Sequence, residues 1–275
     1  MSDPPLLTIA YSTLAARMHR ISLAGIAPDI EVLVCVQSGP PSCEVELSRA
    51  RFVLVPGTGV AKSRNASMDH AGGRYLLFCD DDVTVNLPGV AEGIHHLQQT
   101  GHALALGQGM DPSGLMRKKY PRFVTPLTAF NSAKAATYEM LIDLEQVRAR
   151  GIRFDMRFGA GTDLHLGDEY IFIVDLLRAG LSCDAVPFVF GMHPRVSSGS
   201  EWGSARDSHA RAVALNRVFG RWALVARVAF GLKNRAKFGD RRALIAFMTN
   251  GTQPAGRHAA TRWPAAVAPG ARSEP

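Results

Sequence analysis

The sequence predicts an α/β layer fold whose sheet is covered on both faces, and three observations carry that reading. Short apolar runs alternate with helix-like stretches through the first two thirds of the chain. Several runs are continuously apolar, as strands buried on both faces require. The segment GTGVAKSRNASMDHAGG, between RFVLVP and RYLLFC, has glycines at both ends and apolar Val60, Ala66 and Ala71, which fits a short crossover helix. The expected strands are LLTIAYS, EVLVCV, RFVLVP, RYLLFC, ALALGQ, TYEMLI and AVPFVF. RFVLVP, the crossover helix and RYLLFC read as a βαβ unit whose second strand ends at Asp80. In open α/β sheets ligands bind beyond the carboxyl ends of the strands, so Asp80 stands where a ligand is expected.

A chain of 275 residues with 47% hydrophobic content can bury a sizeable core, which excludes disorder throughout. No basic n-region precedes the apolar stretch from Leu6 to Ala10, and that stretch is short for a signal peptide, so a cytoplasmic location is expected. Cys35, Cys43, Cys79 and Cys183 are scattered, with no CxxC pair and no His at zinc-finger spacing; they read as reduced, mostly buried thiols.

The net charge of +7 is unevenly distributed. Residues 195–275 hold 14 Lys/Arg against 4 Asp/Glu, whereas residues 1–194 hold 17 against 20. The basic third points to an anionic surface, lipid or nucleic acid, as a local partner. From His193 onward the pattern turns helical. Leu215, Val218, Phe219, Trp222, Val225, Ala226 and Ala229 recur at helical spacing, with Arg217, Arg221, Arg227 and Arg235 mainly on the other side and Gly220 as an interruption. The stretch is far short of the ~20 apolar residues of a membrane span. Residues 1–195 are therefore expected as the α/β domain, 196–250 as a basic helical extension, and 251–275, rich in Ala, Pro, Gly and Arg, as a disordered tail.

The main chemical feature is RYLLFCDDDV, a buried strand delivering Asp80, Asp81 and Asp82 to its end. Three adjacent anions repel one another and need a cation. Alternation along extended backbone puts Asp80 and Asp82 on one side, where both can face a hard divalent ion. An EF-hand would need Gly and Glu where Val85 and Ala91 stand. The competing reading is a solvated acidic turn after an edge strand. Upstream, Arg64 and Asn65 lie on the crossover helix; a guanidinium there can pair with a carboxylate or contact a diphosphate, or else simply lie on the helix surface. Downstream, FDMRFGAGTDLHLGDEYIFIVDLLRAG joins a glycine-rich loop to Asp168, Glu169 and an apolar helix. Such acids either cap the helix and complement its dipole or, held near an acceptor hydroxyl, act as a general base.

These segments together resemble the family 2 glycosyltransferases of the GT-A fold. The order is G-x-A-x-x-R-N, then a strand ending in D-x-D, then F-G-x-G with an acidic pair before a helix, over roughly residues 6–195. The resemblance implies a Rossmann-like mixed sheet flanked by helices, with the helical extension appended. It implies that Asp80 and Asp82 contact the ribose and a Mn2+ or Mg2+ ion, that Arg64 and Asn65 line the nucleotide site, and that Asp168 and Glu169 supply the base, Glu169 first. Asp81 is counted with the nucleotide-sugar site. His193, in GMHPRVSSG, resembles a histidine that some members place beside the metal, although a lone histidine beside proline is more often a loop residue. One departure concerns the base: where many members carry a D-G-S-like segment, this chain reads VCVQSGPPS, and Gln37 offers a hydrogen bond without charge. Ser12 and Thr13, at the end of the first strand, are positioned for nucleotide contact or for ordinary strand-end bonding.

The resemblance implies transfer of a sugar from a nucleotide-diphosphate sugar to a carbohydrate or lipid-linked acceptor, with inversion, in surface polysaccharide or glycolipid biosynthesis. The basic helix then suits a peripheral site on the cytoplasmic membrane face, or simply packs on the catalytic domain. A sugar nucleotidyltransferase is one rival, but residues 7–17 lack its Gly-rich triphosphate loop. A non-catalytic membrane- or nucleic-acid-binding module is another; no RRM, KH or zinc-finger pattern is present, so nucleic acid is not an expected partner.

Overall fold

A computed structural model describes residues 4–41, 49–194, 204–238 and 240–249. The expected tail at 251–275 and Cys43 lie outside the described residues; Cys35, Cys79 and Cys183 are buried free thiols. The strands are β1 (Leu7–Leu14), β2 (Glu31–Gln37), β3 (Arg51–Val55), β4 (Tyr75–Asp80), β5 (Thr84–Val85), β6 (Leu104–Met110), β7 (Thr125–Pro126), β8 (Met140–Asp143) and β9 (Cys183–Met192). They form one mixed sheet in the order β3-β2-β1-β4-β8-β6-β9-β5, with β7 on β9. The first four strands in that order run parallel, and β8 pairs antiparallel with both β4 and β6.

Helices α1 (Val60–His70), α2 (Leu87–Thr100), α3 (Leu144–Ala149) and α4 (Asp168–Arg178) flank this sheet. Period-2 alternation decides which residues meet which layer. Ala10, Leu33, Cys35, Leu76, Phe78 and Ile142 join Met68 of α1 and Phe172 of α4 on one face. Ile9, Val32, Val34, Leu77, Cys79 and Leu141 meet Val90, Ile94 and Leu97 of α2 on the other. β1, β2, β4 and β6 thus bury both sides, which is why their sequences read as unbroken apolar runs, whereas β3, at the sheet edge, leaves Leu54 exposed.

All seven expected runs contain strands. TYEMLI starts late, because Thr137–Glu139 form a 3-10 turn before β8. The expected βαβ unit holds in connection and direction, but β3 and β4 are not neighbours: β2 and β1 lie between them. The chain winds outward from β1 to β3 and α1 carries it back to the other side of β1. The order reverses between β1 and β4, and that switch point opens the crevice in which the site lies.

The described C-terminal region holds three α-helices, and the stretch expected as one interrupted helix is divided between the first two. α5 (Ala205–Phe219) ends at Gly220, whose φ of +53° breaks the helix, and α6 (Ala223–Lys233) and α7 (Arg241–Thr249) follow. Ala212, Leu215 and Val218 of α5 pack with Phe158, Tyr170, Ile171 and Val174. The expected single apolar face is corrected by this break: Arg227 is buried, whereas Trp222 and Val225 are 60% and 61% exposed.

Candidate active site

Strand β4 is central, so its acidic end is not the turn of an edge strand. The three aspartates there go separate ways. Asp81 is buried between strand ends, accepting a 2.8 Å hydrogen bond from Thr13 Oγ1 and an ion pair from Arg17. Asp82 faces His193, whose Nε2 lies 3.2 Å from its Oδ1, with Arg17 at 3.5 Å. Asp80 turns to the opposite helix layer, 3.9 Å from Arg64.

Arg64 joins the acidic motifs. Its helix has little apolar amphipathicity; the buried face of α1 is polar, with Ser63 donating to the Cys35 carbonyl and Ser67 to the Ser63 carbonyl. From this face the guanidinium, 4% exposed, reaches Asp168 in a direct ion pair, Glu169 at 3.2 Å and Asp80. Asn65 bonds Phe154 through both heteroatoms, donating to its carbonyl at 3.0 Å and accepting from its N–H at 2.9 Å. The Arg-Asn pair therefore performs two framing tasks: Arg64 neutralises the acids, and Asn65 pins the start of the glycine-rich loop.

That loop brings α4 to the site. Val60 N donates to the Ala160 carbonyl at 2.9 Å, and Gly159 adopts φ +99° beside Val60 and Asp168. Gly167 precedes α4 in a left-handed conformation without a side-chain cap. The acids lie in the first turn, where the helix dipole favours them, but their side chains point to Arg64. Glu169 also accepts a 2.7 Å hydrogen bond from Thr137.

Burial, together with the charge of Glu169, pushes Asp168 above the ordinary carboxylate range despite Arg64. Burial would also raise Glu169, but Arg64 and the hydrogen bonds from Thr137 and Asp168 outweigh it, so Glu169 is lowered. The pair favours a proton on the more enclosed Asp168 and a charge on Glu169, whose side chain is 20% exposed against 4%. Burial raises Asp80, opposed by Arg64. Asp82 is lowered, first by its hydrogen bond from His193. Burial acts to lower His193, but the bonds to Asp82 and the Pro194 carbonyl prevail and raise it.

The sequence-derived residues thus fall into one cleft group, Arg64, Asp80, Asp82, Asp168, Glu169 and His193, with Asp81 and Thr13 bracing its floor. Ser12 pairs in register with Asp80, and Gln37 ends β2 with its buried Oε1 unpartnered. Arg17, Thr137, Arg117 and Tyr138 were not found from sequence. Arg117 donates to the His193 carbonyl at 3.0 Å, and Tyr138 stacks on the His193 ring at 5.4 Å. No local spacing signals any of them.

The switch-point crevice, the D-x-D strand end and the acidic pair on the facing helix sit on a mixed sheet of the GT-A fold. Residues 27–158, just under half of the chain, match the family model for glycosyl transferase family 2. The fold is similar to that of S. aureus TarS 1–349 in complex with UDP-GlcNAc, with a TM-score of 0.55 and 11% sequence identity over 84% of this chain and 73% of that one. For TarS 1–349 in complex with UDP the values are 0.52 and 12%, over 85% and 72%. Against the longer TarS chain the match has a TM-score of 0.54 and 10% identity, and covers 83% of this chain but 43% of that one. At these identities the likeness is one of fold. No curated protein matches the sequence.

Proposed function

We propose that the chain transfers a sugar from a nucleotide-diphosphate sugar to an acceptor hydroxyl with inversion at the anomeric carbon. The observation that carries this reading is the convergence of Asp80 and Glu169 on the buried guanidinium of Arg64, at the sheet's switch point. It joins a donor-binding strand end to a base-bearing helix.

Glu169, held charged by Arg64 and oriented by the Thr137 hydroxyl, accepts the proton of the acceptor hydroxyl. The acceptor oxygen bonds to the anomeric carbon as the bond from that carbon to the diphosphate oxygen breaks, so the nucleoside diphosphate leaves with the electron pair. Arg64 and Asp168 act as positioning residues for Glu169. Gln37 Oε1, buried and unpartnered, suits an N–H edge of the nucleobase, and Ser12 and Thr13 border the nucleoside side of the crevice.

The donor types suit a hard divalent ion, although Asp80, Asp82 and His193 do not all lie within 4.8 Å of one another. Asp80 and Asp82 offer carboxylate oxygens in a cleft with more acids than cations, and such ions take one or two protein carboxylates and complete their shell with phosphates and water. Asp80 and Asp82 would hold Mn2+ or Mg2+, with His193 as a third donor once it releases its proton. When bound, the ion supplies charge neutralisation for the departing diphosphate.

TarS structures with UDP-GlcNAc and UDP make uridine nucleotides the first donors to test. A thermal-shift series of nucleotide-sugars with and without Mn2+ tests donor binding, since a ligand selective for the native state raises its stability. Calorimetry with a nucleoside diphosphate and Mn2+ then compares wild type with Asp82→Ala, and affinity unchanged by the substitution removes the metal assignment. The product's anomeric configuration, read by NMR, decides inversion.

For the acceptor, the reading is a carbohydrate or lipid-linked molecule of a surface polysaccharide or glycolipid pathway, met at an anionic membrane face. No helix among the described residues is long and apolar enough to cross a membrane. The support is α6, whose Leu224, Val225 and Leu232 are exposed as is the preceding Trp222, with Arg221 over the Trp222 ring and Lys233, Arg235, Lys237, Arg241 and Arg242 exposed further along the chain.

A further inference from the structure

We infer that His96, His102 and Asp184 form a second metal site, of the zinc class, remote from the cleft. Their ligand atoms lie within 4.8 Å of one another, the one such group of three among the described residues. His96 Nε2 is 2.8 Å and His102 Nδ1 2.6 Å from the same oxygen, Asp184 Oδ2. The three come from separate elements: His96 from the C-terminal half of α2, His102 from the link to β6, and Asp184 from the start of β9.

Asp184 is a carboxylate at 2% exposure in a strand paired with both β6 and β7, a place where burial of charge demands compensation. Two imidazoles on one carboxylate oxygen compensate it, and the same three groups are the donor types that zinc takes. Ligands at ~2.0–2.1 Å around a tetrahedral ion stand roughly 3.3 Å apart, so each histidine–carboxylate contact opens by about half an ångström while the two ring nitrogens, within 4.8 Å of each other, settle at the same spacing. His102, with its side chain 31% exposed, has room to do so and leaves the fourth position open to water. Without the ion, His96 Nε2–H and His102 Nδ1–H donate to the Asp184 carboxylate; with it, each imidazole would carry its proton on the other nitrogen and the ion would replace the shared hydrogen bonds. β9 runs parallel to β6 with bulges that set Asp184 against Ala105 and Met192 against Met110, which puts this site roughly 20 Å from His193 at ~3.3 Å per residue of β6. The ion would tie the end of α2 to the start of β9, a structural role separate from donor binding.

The test uses the full chain, stripped with a chelator and re-equilibrated with Zn2+ alone in excess Mg2+. Bound zinc is measured by mass spectrometry, and Co2+ in its place reports coordination through its visible absorption. The expected result is one retained equivalent of Zn2+ and a tetrahedral Co2+ spectrum, both preserved in Asp82→Ala. His102→Gln should weaken zinc binding by more than ~10-fold, the loss that even outer-shell changes cause. The inference is overturned if wild type retains no zinc, if His102→Gln retains it equally, or if Asp82→Ala removes it. Should His102→Gln fail to fold, the wild-type Co2+ spectrum decides: octahedral or absent absorption overturns the site, and what remains is a hydrogen-bonded His-Asp-His cluster.

Discussion

Arg64 on α1 lies 3.2 Å from Glu169 on α4, and the same guanidinium reaches Asp80 at the end of β4. The cation is buried among acids supplied by two distant parts of the chain, so the two halves of the cleft share one counter-charge. Removing it leaves buried carboxylates unneutralised. Arg64→Ala should destabilise the fold by about 3–5 kcal/mol, the range for breaking a buried pair from one side. Urea unfolding of the variant checks this; a loss under 1 kcal/mol by that measure, well below the usual buried-pair cost, shows the pairing to be slack.

The proton arrangement predicts unequal roles for the adjacent acids. Glu169→Gln keeps shape and loses the base, so turnover should fall ~100-fold or more while nucleotide-sugar binding survives. Asp168→Asn copies the protonated form that burial favours and should cost less turnover than Glu169→Gln. Steady-state kinetics of both variants, with donor binding by calorimetry, separates them; the reverse ranking assigns the base to Asp168.

The pH dependence follows with its sign. The folded pKa of Glu169 is depressed, so the base form is present above that value and is lost as pH falls through it. Its contribution to stability has the same direction: present above the unfolded glutamate pKa, fading as pH falls through the folded one. The acid limb of kcat/KM should therefore lie below the ordinary glutamate range, as a property of the coupled pair. A limb near neutral pH in the rate profile contradicts this order of charge.

Gly159 tests the loop that delivers α4. A Cβ at this position would approach Val60 at 2.7 Å and the Asp168 carboxylate at 2.8 Å, on a backbone with φ +99°. Gly159→Ala should cost more than ~1 kcal/mol and lower kcat, because both strain and displacement act on Asp168. Gly101→Ala is the control: φ is +69° with no atom within 4 Å of the added Cβ, so strain alone acts there and kcat should hold. Equal kinetic losses in the two variants would remove the link between loop packing and catalysis.

Much of this architecture was legible because it is written in local periodicity. Continuous apolar runs marked the seven longer strands, and D-x-D at a strand end marked the cleft once the switch point placed it. Two-residue strands such as β5 and β7 carry no pattern to read. The cleft's supporting contacts were equally hidden, because Arg17 meets Asp81 and Arg117 meets His193 across 64 and 76 residues. At the C-terminus the seven-residue apolar series was read as one face; Gly220 reorients the chain, so its first members face the core and Trp222 and Val225 face solvent.

That break sharpens the membrane prediction. Because α5 fills an apolar cluster with α4, truncation near Pro194 would expose Tyr170, Ile171 and Val174 and confuse adhesion with aggregation. Substitution on the exposed face avoids this: Trp222, Leu224 and Val225 are each more than half exposed, so a Trp222→Ser/Leu224→Ser/Val225→Ser variant should retain the fold. The intact chain should cosediment with anionic vesicles at low salt and be released at high salt, since screening weakens charge attraction. Neutral vesicles should leave it in the supernatant. The triple variant should lose pelleting while its thermal midpoint stays close to wild type. Pelleting unaffected by these substitutions, or absent from the wild type with anionic vesicles at low salt, separates the enzyme from the membrane and makes a soluble acceptor the one to seek.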